Sequence, residues 1–290
     1  MFMLIAAGPA LTAAHPAGCA VTVAFDSDHI DLSDYELTFE ENFDQLDVSA
    51  WGPGTRWIAH TPWYGDFGDA RFADPTEDFP FTVADGILRI EARQDSEGQW
   101  HSGLLSSTDP DGNGFLQQFG YFEMRAKLPP GPGVWPAFWL IANQDPKTSA
   151  EIDVVEYYGH APDIYHSVVH VWPKDDTTEK QTYHVQHTVP EGSLTERFRS
   201  YGVSVEADWT VFYLDRKEMG RVRTPSEHHR PMFILLNLAL GGGWPIDEAI
   251  SPSFMYVDYV RVYRAPAAPD KDVRSGARDE CPNRRHLAGR

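Results

Sequence analysis

Apolar and polar residues alternate along many short stretches of this chain, and residues 121–128 show the pattern most clearly. The apolar residues Phe122, Met124, Ala126 and Leu128 occupy every second position there, with charged residues between them. A period of two places the apolar side chains on one face of a half-buried strand. The same pattern predicts further strands at residues 86–93, 166–172, 201–206, 210–215, 232–240 and 256–264.

Turns rich in glycine and proline separate these strands, and no stretch carries a long helical stripe with capping residues. Many strands with almost no helix are typical of a β-sandwich or a β-barrel. We therefore expect one all-β domain over residues 21–264 and an irregular, charged and Pro-rich tail over residues 265–290. Residues 55–80 lack periodicity but hold several aromatic side chains, and long aromatic loops in compact domains are often functional.

Three acidic residues, Glu151, Asp153 and Glu156, stand within six positions among β-branched apolar residues that predict a strand. On a regular strand Glu151 and Asp153 point to one face and Glu156 to the other, because successive side chains alternate. One extra residue at Val154 and Val155 forms a β-bulge that returns Glu156 to the first face, and bulges often re-aim side chains at active sites. The segment therefore predicts three carboxyl groups on one face.

Such a group of acids suits the cleavage of glycosidic bonds. In a retaining glycosidase one carboxylate attacks the anomeric carbon while a protonated carboxyl group, roughly 5–5.5 Å away, delivers a proton to the leaving oxygen. A neighbouring charge raises the pKa of that proton donor. From these residues alone, a calcium site and a solvent-facing row of acids stay open as alternatives.

The charge balance of the 290-residue chain narrows the class of partner. Lys and Arg number 24 against 43 Asp and Glu, which gives a formal net charge of -19. Because nucleic acids bind through basic residues on their phosphates, this charge argues against a nucleic acid partner and against an anionic lipid surface. An uncharged sugar polymer fits better, and the 9 Trp, 12 Tyr and 16 Phe can either fill a β core or stack on sugar rings.

The N-terminal residues carry a signal of export. Residues 1–14 are apolar and uncharged and small residues follow, so residues 1–20 are predicted to be the signal or leader segment of a secreted, periplasmic or envelope-associated protein. The segment is too short to span a bilayer comfortably, and no later stretch resembles a transmembrane helix. The two cysteines, Cys19 and Cys281, could form a disulfide; lipid modification of Cys19 and two unpaired thiols are the alternatives.

Four more motifs flank the acidic segment: G-Y-F-E-M-R-A-K-L-P at 120–129, G-V-W-P-A-F-W-L at 133–140, L-N-L-A-L-G-G-G-W-P at 236–245 and Y-V-D-Y-V-R-V-Y at 256–263. With the E-x-D-x-x-E segment, they resemble glycoside hydrolase family 16, which contains laminarinases, agarases and carrageenases. The resemblance covers about residues 39–264. It implies an all-β, concanavalin-A-like jelly-roll β-sandwich with a concave substrate cleft, and retaining cleavage of internal β-linkages.

The resemblance also implies a role for each acid. Glu151 matches the family's nucleophile, Glu156 its general acid/base, and Asp153 the assisting acid that tunes the charge between them. No cofactor is expected for this chemistry. The resemblance places His170 beside the acid/base, and it implies that Asn237, a polar residue in an apolar strand, contacts a sugar hydroxyl. The alternative for Asn237 is a buried amide bonded to the backbone.

Aromatic and polar side chains are expected to line the substrate cleft. The resemblance makes Trp135 a wall of the glycone subsites with Trp139 as its companion, and Trp244 a second stacking platform. Residues 61–72 depart from the laminarinase pattern because they lack its Asn-Glu-Leu-Gln stretch, and this difference bears on specificity for β-1,3-glucan. The predicted substrate contacts are Trp63, Asp66, Arg71, Trp135, Trp139, His170, Trp172, Asn237 and Trp244.

The predicted function is that of a monomeric, endo-acting, retaining β-glycanase, with β-1,3- or β-1,3-1,4-glucan as the first substrate to test. A transglycosylase or depolymerase of a bacterial exopolysaccharide or galactan, and a non-catalytic lectin-like domain, are the alternatives. Many members of the family bind a structural Ca²⁺ on the convex side, which points to Asp258 and Asn42 as ligands. His228 and His229 are expected at the surface, since no partner motif accompanies them.

Overall fold

The computed structural model describes residues 29–175 and 177–266, whose backbone is almost entirely β-structure. In chain order the strands are β1 Glu36–Glu41, β2 Val48–Ser49, β3 Trp57–Ile58, β4 Arg71–Phe72, β5 Phe81–Ala84, β6 Ile87–Gln94, β7 Trp100–Ser102, β8 Leu104–Ser106, β9 Gly120–Lys127, β10 Val134–Ala142, β11 Thr148–Tyr157, β12 Ile164–Pro173, β13 Gln181–Thr188, β14 Arg199–Val205, β15 Trp209–Leu214, β16 Lys217–Arg223, β17 Phe233–Leu240 and β18 Ser253–Arg264. A 3₁₀ turn, η1, at Ser226–His228 is the one helical element in the described part of the chain. Every strand predicted from the alternation is present, with its ends displaced by a few residues.

The strands form two sheets. The first has the order β16-β15-β14-β9-β18-β6-β7-β4, with β1 beside β18 and β5 beside β6. The second has the order β13-β12-β11-β10-β17-β8-β3-β2. Neighbouring strands are antiparallel except in the short pairs β2–β3 and β4–β7, which are parallel. The architecture is the predicted jelly-roll β-sandwich.

The main hydrophobic core combines side chains from both sheets. The apolar face of β9, with Phe122 and Met124, joins Ile152 of β11 and Val260 of β18, and all four side chains are buried. Burying an apolar side chain of this size contributes roughly 1.5–3 kcal/mol. Every second side chain of these strands therefore faces the core, which explains the period of two in the sequence.

A smaller apolar cluster covers the other face of the second sheet at β10 and β17. Its core includes Trp139, Phe233 and Leu235, and two aromatic residues of the irregular segment, Phe67 and Phe72, join it. The Phe67 and Phe72 rings lie 5.0 Å apart between centroids. The aromatic loop predicted over residues 55–80 thus folds over the sheet and forms one wall of a cleft.

The leader segment, Cys19, Cys281 and the C-terminal tail after residue 266 lie outside the described residues. Within residues 29–175 and 177–266, none of the helical structure is long and apolar enough to cross a membrane.

Candidate active site

The predicted bulge is present in β11 between Asp153 and Glu156. Asp153 pairs with Val168 of β12 and Glu156 with His166, so two residues of β11 oppose one residue of β12. The same shift occurs against β10. Val154 and Val155 both point into the main core, while Glu151, Asp153 and Glu156 all line one cleft on the other face. The prediction of three carboxyl groups on one face is confirmed.

A bulge leaves backbone groups without partners in the sheet, and here a side chain satisfies one of them. The hydroxyl of Ser167 on β12 donates to the carbonyl of Val154 at 2.8 Å. The imidazole Nε2 of His187 lies 3.0 Å from the same hydroxyl oxygen. Because an unpaired buried carbonyl costs about 1–3 kcal/mol, these contacts hold the bulge in place.

The cleft above the three acids has a volume of about 380 Å³ and is open along one side. Its lining contains most of the side chains that the sequence predicted for it. The lining residues are Trp63, Gly65, Asp66, Phe67, Trp135, Ala137, Trp139, Glu151, Asp153, Glu156, Trp172 and Asn237. Phe67 was not among the predicted contacts, although its place in the aromatic loop was a signal for it.

Two aromatic side chains hold the carboxyl group of Glu156. The indole Nε1 of Trp135 and the hydroxyl of Tyr158 each donate to its Oε1 at 3.1 Å. Gly242, in the turn after β17, packs directly against both rings: its φ is 63°, and a Cβ placed there would lie 2.8 Å from atoms of Trp135 and Tyr158. A glycine is therefore required at this position, which gives the glycine run at 241–243 a role in shaping the site. Trp135 was predicted as a subsite wall, and Tyr158 was missed although it follows the acidic segment closely.

Asn237 is fully buried on β17 and borders the cleft. Its Oδ1 accepts a hydrogen bond from Trp139 Nε1 at 2.9 Å. Its amide Nδ2 is buried and has no partner among the described residues. A buried donor without a partner is rare in native proteins, so this N–H is available to a ligand in the cleft, as the sugar-contact prediction requires.

Burial raises the pKa of all three acids, and repulsion between carboxylates adds to the rise for Glu151 and Asp153. Burial raises the pKa of Glu151 to about 7, with a further rise from the charge of Glu156. Burial and the charges of both glutamates raise the pKa of Asp153 well above its usual range. Burial also raises the pKa of Glu156, although the hydrogen bonds from Tyr158 and Trp135 partly oppose this rise. The cluster therefore retains protons at pH values where exposed carboxyl groups are ionised, and its protonation steps belong to the group as a whole.

Trp172 opposes part of the rise in the pKa of Glu151. Its indole Nε1 is buried and has no partner in ordinary hydrogen-bond geometry among the described residues. We attribute its effect to the indole N–H dipole near the carboxylate rather than to a formed hydrogen bond. Trp172 lines the cleft, as predicted.

His170 lies near the acids, but its closest acidic neighbour is not the predicted one. It pairs in register with Glu151, and its Nε2 lies 3.6 Å from Asp153 Oδ2, whereas the histidine opposite Glu156 is His166. Burial lowers the pKa of His170 to about 4, so its contact with Asp153 is one between a neutral ring and an acid. Its Nδ1 is hydrogen-bonded to Thr182 Oγ1 at 2.9 Å.

Arg71 is exposed and lies outside the residues that line the cleft, because Phe72 takes the inward position of the two-residue strand β4, and its contact with substrate stays a prediction. The predicted surface position of His228 is wrong. His228 is completely buried rather than at the surface. Its Nε2–H donates to the backbone carbonyl of Glu151 at 3.0 Å, so the turn η1 is tied to β11.

The two side chains predicted to bind calcium do not fit such a site. The carboxylate of Asp258 forms an ion pair with Arg125, and Asn42 Oδ1 accepts a hydrogen bond from Arg261 Nη2 at 3.2 Å. Ca²⁺ requires six to eight oxygen ligands, and an arginine cation beside a ligand oxygen opposes its binding. Calcium binding elsewhere stays a prediction.

Trp244 is half exposed, and its ring lies against His160 with 3.8 Å between the centroids and a tilt of 36° between the planes. It lines a second groove that adjoins the cleft, together with Glu156, Tyr158 and several histidines. The role of Trp244 as a stacking platform for sugar stays a prediction.

Comparison with known proteins defines the class to which this fold and site belong. A sequence model of glycosyl hydrolases family 16 matches residues 77–261. The chain is 32% identical over 263 residues to the endo-1,3-1,4-beta-glycanase EglC of Rhizobium meliloti (strain 1021), a match that covers 82% of this chain and 54% of EglC. It is 31% identical over 209 residues to a beta-glucanase of Rhodothermus marinus, covering 63% of this chain and 69% of that protein.

The solved structures show the same architecture. The catalytic domain of an endo-1,3-beta-glucanase (laminarinase) from Thermotoga petrophila RKU-1 aligns with a TM-score of 0.64 and 25% identity, covering 81% of this chain and 99% of that domain. This chain belongs to glycosyl hydrolase family 16. It spans about half the length of the R. meliloti glycanases that it matches.

Proposed function

We propose that this protein is an endo-acting, retaining β-glycanase that hydrolyses internal bonds of a β-1,3- or β-1,3-1,4-glucan. The observation that carries the proposal is the bulge in β11, which places three carboxyl groups with raised pKa values on the floor of one open cleft. The printed names of the relatives, an endo-1,3-1,4-beta-glycanase and a beta-glucanase, support the substrate class.

In the proposed reaction Glu151 attacks the anomeric carbon while Glu156 gives its proton to the leaving glycosidic oxygen, which forms a covalent glycosyl-enzyme ester. Glu156, now ionised, then takes a proton from water as the water displaces Glu151, and the product keeps the β configuration. Asp153 lies between the two on the same face and adjusts the charge that each experiences. The pKa is raised for both glutamates, so the E-x-D-x-x-E resemblance, rather than the pKa values, assigns the nucleophile and the proton donor.

The surrounding residues orient the carboxyl groups and the substrate. Trp135 and Tyr158 fix the carboxyl group of Glu156 through two hydrogen bonds, and the unpaired amide of Asn237 offers a donor to a sugar hydroxyl. The exposed ring of Trp63 and the partly buried ring of Trp135 provide apolar faces for sugar C–H groups. No step in this scheme needs a metal or an organic cofactor.

We further propose that the protein is exported and acts as a monomer. The apolar segment at residues 1–20 supports export, and every residue used in the mechanism comes from one chain. Cell fractionation and light scattering of the purified protein test these two points, and a cytoplasmic or oligomeric protein would contradict them.

Three variants test the chemistry. Glu151→Gln and Glu156→Gln are each expected to lower the rate of glucan hydrolysis by at least about a hundredfold, since each removes an acid, base or nucleophile. Glu36→Gln, which changes an exposed acid on the edge strand β1, is the control and is expected to keep the wild-type rate. Circular dichroism checks that all three remain folded.

Azide rescue assigns the two roles. With an activated aryl glycoside, Glu151→Ala is expected to yield the α-glycosyl azide, because azide replaces the missing nucleophile, and Glu156→Ala the β-glycosyl azide, because azide attacks the glycosyl-enzyme. NMR of early products on wild-type protein should show the β-anomer first. An α-anomer there would rule out retention and with it the proposed mechanism.

Polysaccharide assays test the substrate. Laminarin, mixed-linkage β-glucan and a β-galactan are each incubated with the protein, and product sizes are followed with time. We expect a ladder of intermediate oligosaccharides from one or both glucans, as internal cleavage requires. Products longer than the donor would instead indicate a transglycosylase, and cleavage of galactan alone would contradict the glucan assignment.

A further inference from the structure

A second groove adjoins the cleft on the far side of Glu156. We call it the histidine groove; it has a volume of about 320 Å³ and is lined by Glu156, Tyr158, His160, His166, Val168, His170, Thr182, His184 and Trp244. It lies over β12 and β13, whereas the tryptophan-lined cleft contains residues of β10 and β17 and reaches Trp172 near the end of β12. The acids of β11 stand between the two, and Glu156 borders both.

The position of Glu156 indicates which part of a substrate the histidine groove receives. The general acid protonates the oxygen that leaves with the aglycone. With the glycone over Trp135 and Asn237 on β10 and β17, a polysaccharide substrate that crosses the sheet continues over β12 and β13. The histidine groove is then the aglycone side, and this step rests on the proposed function.

Four of the chain's 12 histidines lie in this groove. His166 Nδ1 and His184 Nε2 are 2.7 Å apart and share a hydrogen bond. The other nitrogen of each ring, and both nitrogens of His160, form no hydrogen bond to another described residue. The groove therefore offers several imidazole nitrogens to a ligand, beside the apolar surface of Val168 and Trp244.

Few oxygen acceptors line this groove. Among its described lining residues the one carboxyl group is that of Glu156, although the chain contains 43 Asp and Glu. The hydroxyl of Tyr158 is engaged with Glu156, and that of Thr182 with His170. A carboxylate ligand, unlike a hydroxyl, only accepts hydrogen bonds, and a neutral imidazole has one N–H to donate to it.

A cation stands at the edge of the same region. The ammonium group of Lys180 lies 4.3 Å from the centroid of the Trp172 ring, and its charge contributes to the lowered pKa of His170. Lys180 therefore places one positive charge near the end of β12, in a connection that also contains Asp175 and Glu179.

We propose that the histidine groove is an aglycone subsite for a sugar that bears a carboxylate group, so that the preferred substrate is an acidic β-glycan. One N–H of His160 and the one outward N–H of the hydrogen-bonded His166–His184 pair donate to the carboxylate, and Trp244 supports the sugar ring. Charge-assisted hydrogen bonds of this kind are stronger than those to neutral groups.

The test compares two substrates that share one backbone. One is mixed-linkage β-glucan, and the other is the same polymer with carboxylates introduced at a minority of its primary hydroxyls. We expect wild-type protein to cleave the carboxylated polymer with a kcat/KM at least about tenfold higher, the effect of one hydrogen bond to a charged group. In the double variant His166→Gln, His184→Gln this ratio is expected to fall to about one.

His101→Gln, on β7 in the other sheet, is the control and should keep the wild-type ratio. A wild-type ratio of one or below, or a ratio that the double variant leaves unchanged, overturns the proposal.

A binding experiment tests the aglycone subsite independently of the proposed hydrolysis. Glu151→Gln protein is titrated calorimetrically with neutral and with carboxylated oligosaccharides from the same two polymers. If wild-type protein cleaves neither polymer but the variant binds the carboxylated oligosaccharides more tightly, the subsite stands and the glycanase assignment fails. If both bind equally, the subsite is refuted whether or not the protein is a hydrolase.

Discussion

His228 lies buried beneath the catalytic strand, and its imidazole is held in the neutral form. Its Nε2–H donates to the carbonyl of Glu151, and burial lowers its pKa from the usual 6.5 to about 4. A glutamine at this position places an amide N–H near the same point but does not titrate. We predict that His228→Gln makes the free energy of unfolding less sensitive to acid.

The magnitude follows from the two pKa values. Above pH 6.5 neither the folded nor the unfolded protein binds a proton at this position, so the ring contributes no pH dependence. As the pH falls below 6.5, the unfolded chain binds a proton that the folded protein accepts only near pH 4, and stability is lost over that window. At 1.36 kcal/mol per pKa unit, the loss is about 2 kcal/mol at about pH 5 and about 3 kcal/mol near pH 4.

Urea unfolding at about pH 7.5 and about pH 5, followed by tryptophan fluorescence, measures this loss. The wild-type protein should lose about 2 kcal/mol more between the two pH values than His228→Gln. His170 and His187, whose pKa values burial also lowers to about 4, contribute equally to both proteins and cancel in the difference.

The neighbouring His229 provides a matched control. Its ring is partly exposed and its Nε2 donates to the carbonyl of Ala207, so His229→Gln should respond to pH as the wild type does. Equal losses in the wild type and in His228→Gln would refute the reasoning, because the folded protein would then accept the proton as readily as the unfolded chain.

Three further predictions concern the site and its metal independence. Trp135→Phe keeps the ring against Gly242 but removes one donor to Glu156, and kcat should fall about tenfold in initial-rate assays, whereas an unchanged kcat would show that the bond is unimportant. Deleting Val154 closes the bulge and turns Glu156 toward the core, so glucan hydrolysis should disappear. The control Val154→Ala keeps the bulge and should remain active. Glucan hydrolysis by the deletion variant would contradict the role of the bulge. Dialysis against EDTA should leave the initial rate unchanged, because carboxyl groups supply the chemistry; a loss that Ca²⁺ restores would argue otherwise.

The strands and the acidic cluster could be predicted because both depend on a local period. Side chains alternate along a strand, so the apolar positions of β9 identify its buried face without knowledge of its neighbours. The same rule shows that Glu156 can join Glu151 and Asp153 only through one extra residue. The sequence therefore predicts the bulge, and the structure confirms it at Val154 and Val155.

The surroundings of the cluster depend on which loops cover which strands, and the local pattern does not contain that information. A polar run at 228–230 is typical of a surface, yet the turn η1 buries His228 against β11, where the carbonyl of Glu151 accepts a hydrogen bond from its Nε2–H. The pairing of β12 with β13 brings His166 and His184 together although 18 residues separate them. Arg71 and Phe72 form a strand of only two residues, so no alternation predicts which side chain faces inward. The packing of Phe72 against Phe67 decides that Phe72 does.

The bulge explains how one strand can serve both the core and the chemistry. Three acids with raised pKa values in one cleft repel each other and lose hydration, which costs stability. On the opposite face, Val154 and Val155 lie side by side in the core with Ile152 and Tyr157, so the bulge adds an apolar side chain to the core at the point where the acids gather. Ser167 satisfies the carbonyl that the bulge exposes. Apolar burial on one face of β11 thus offsets part of the electrostatic cost on the other.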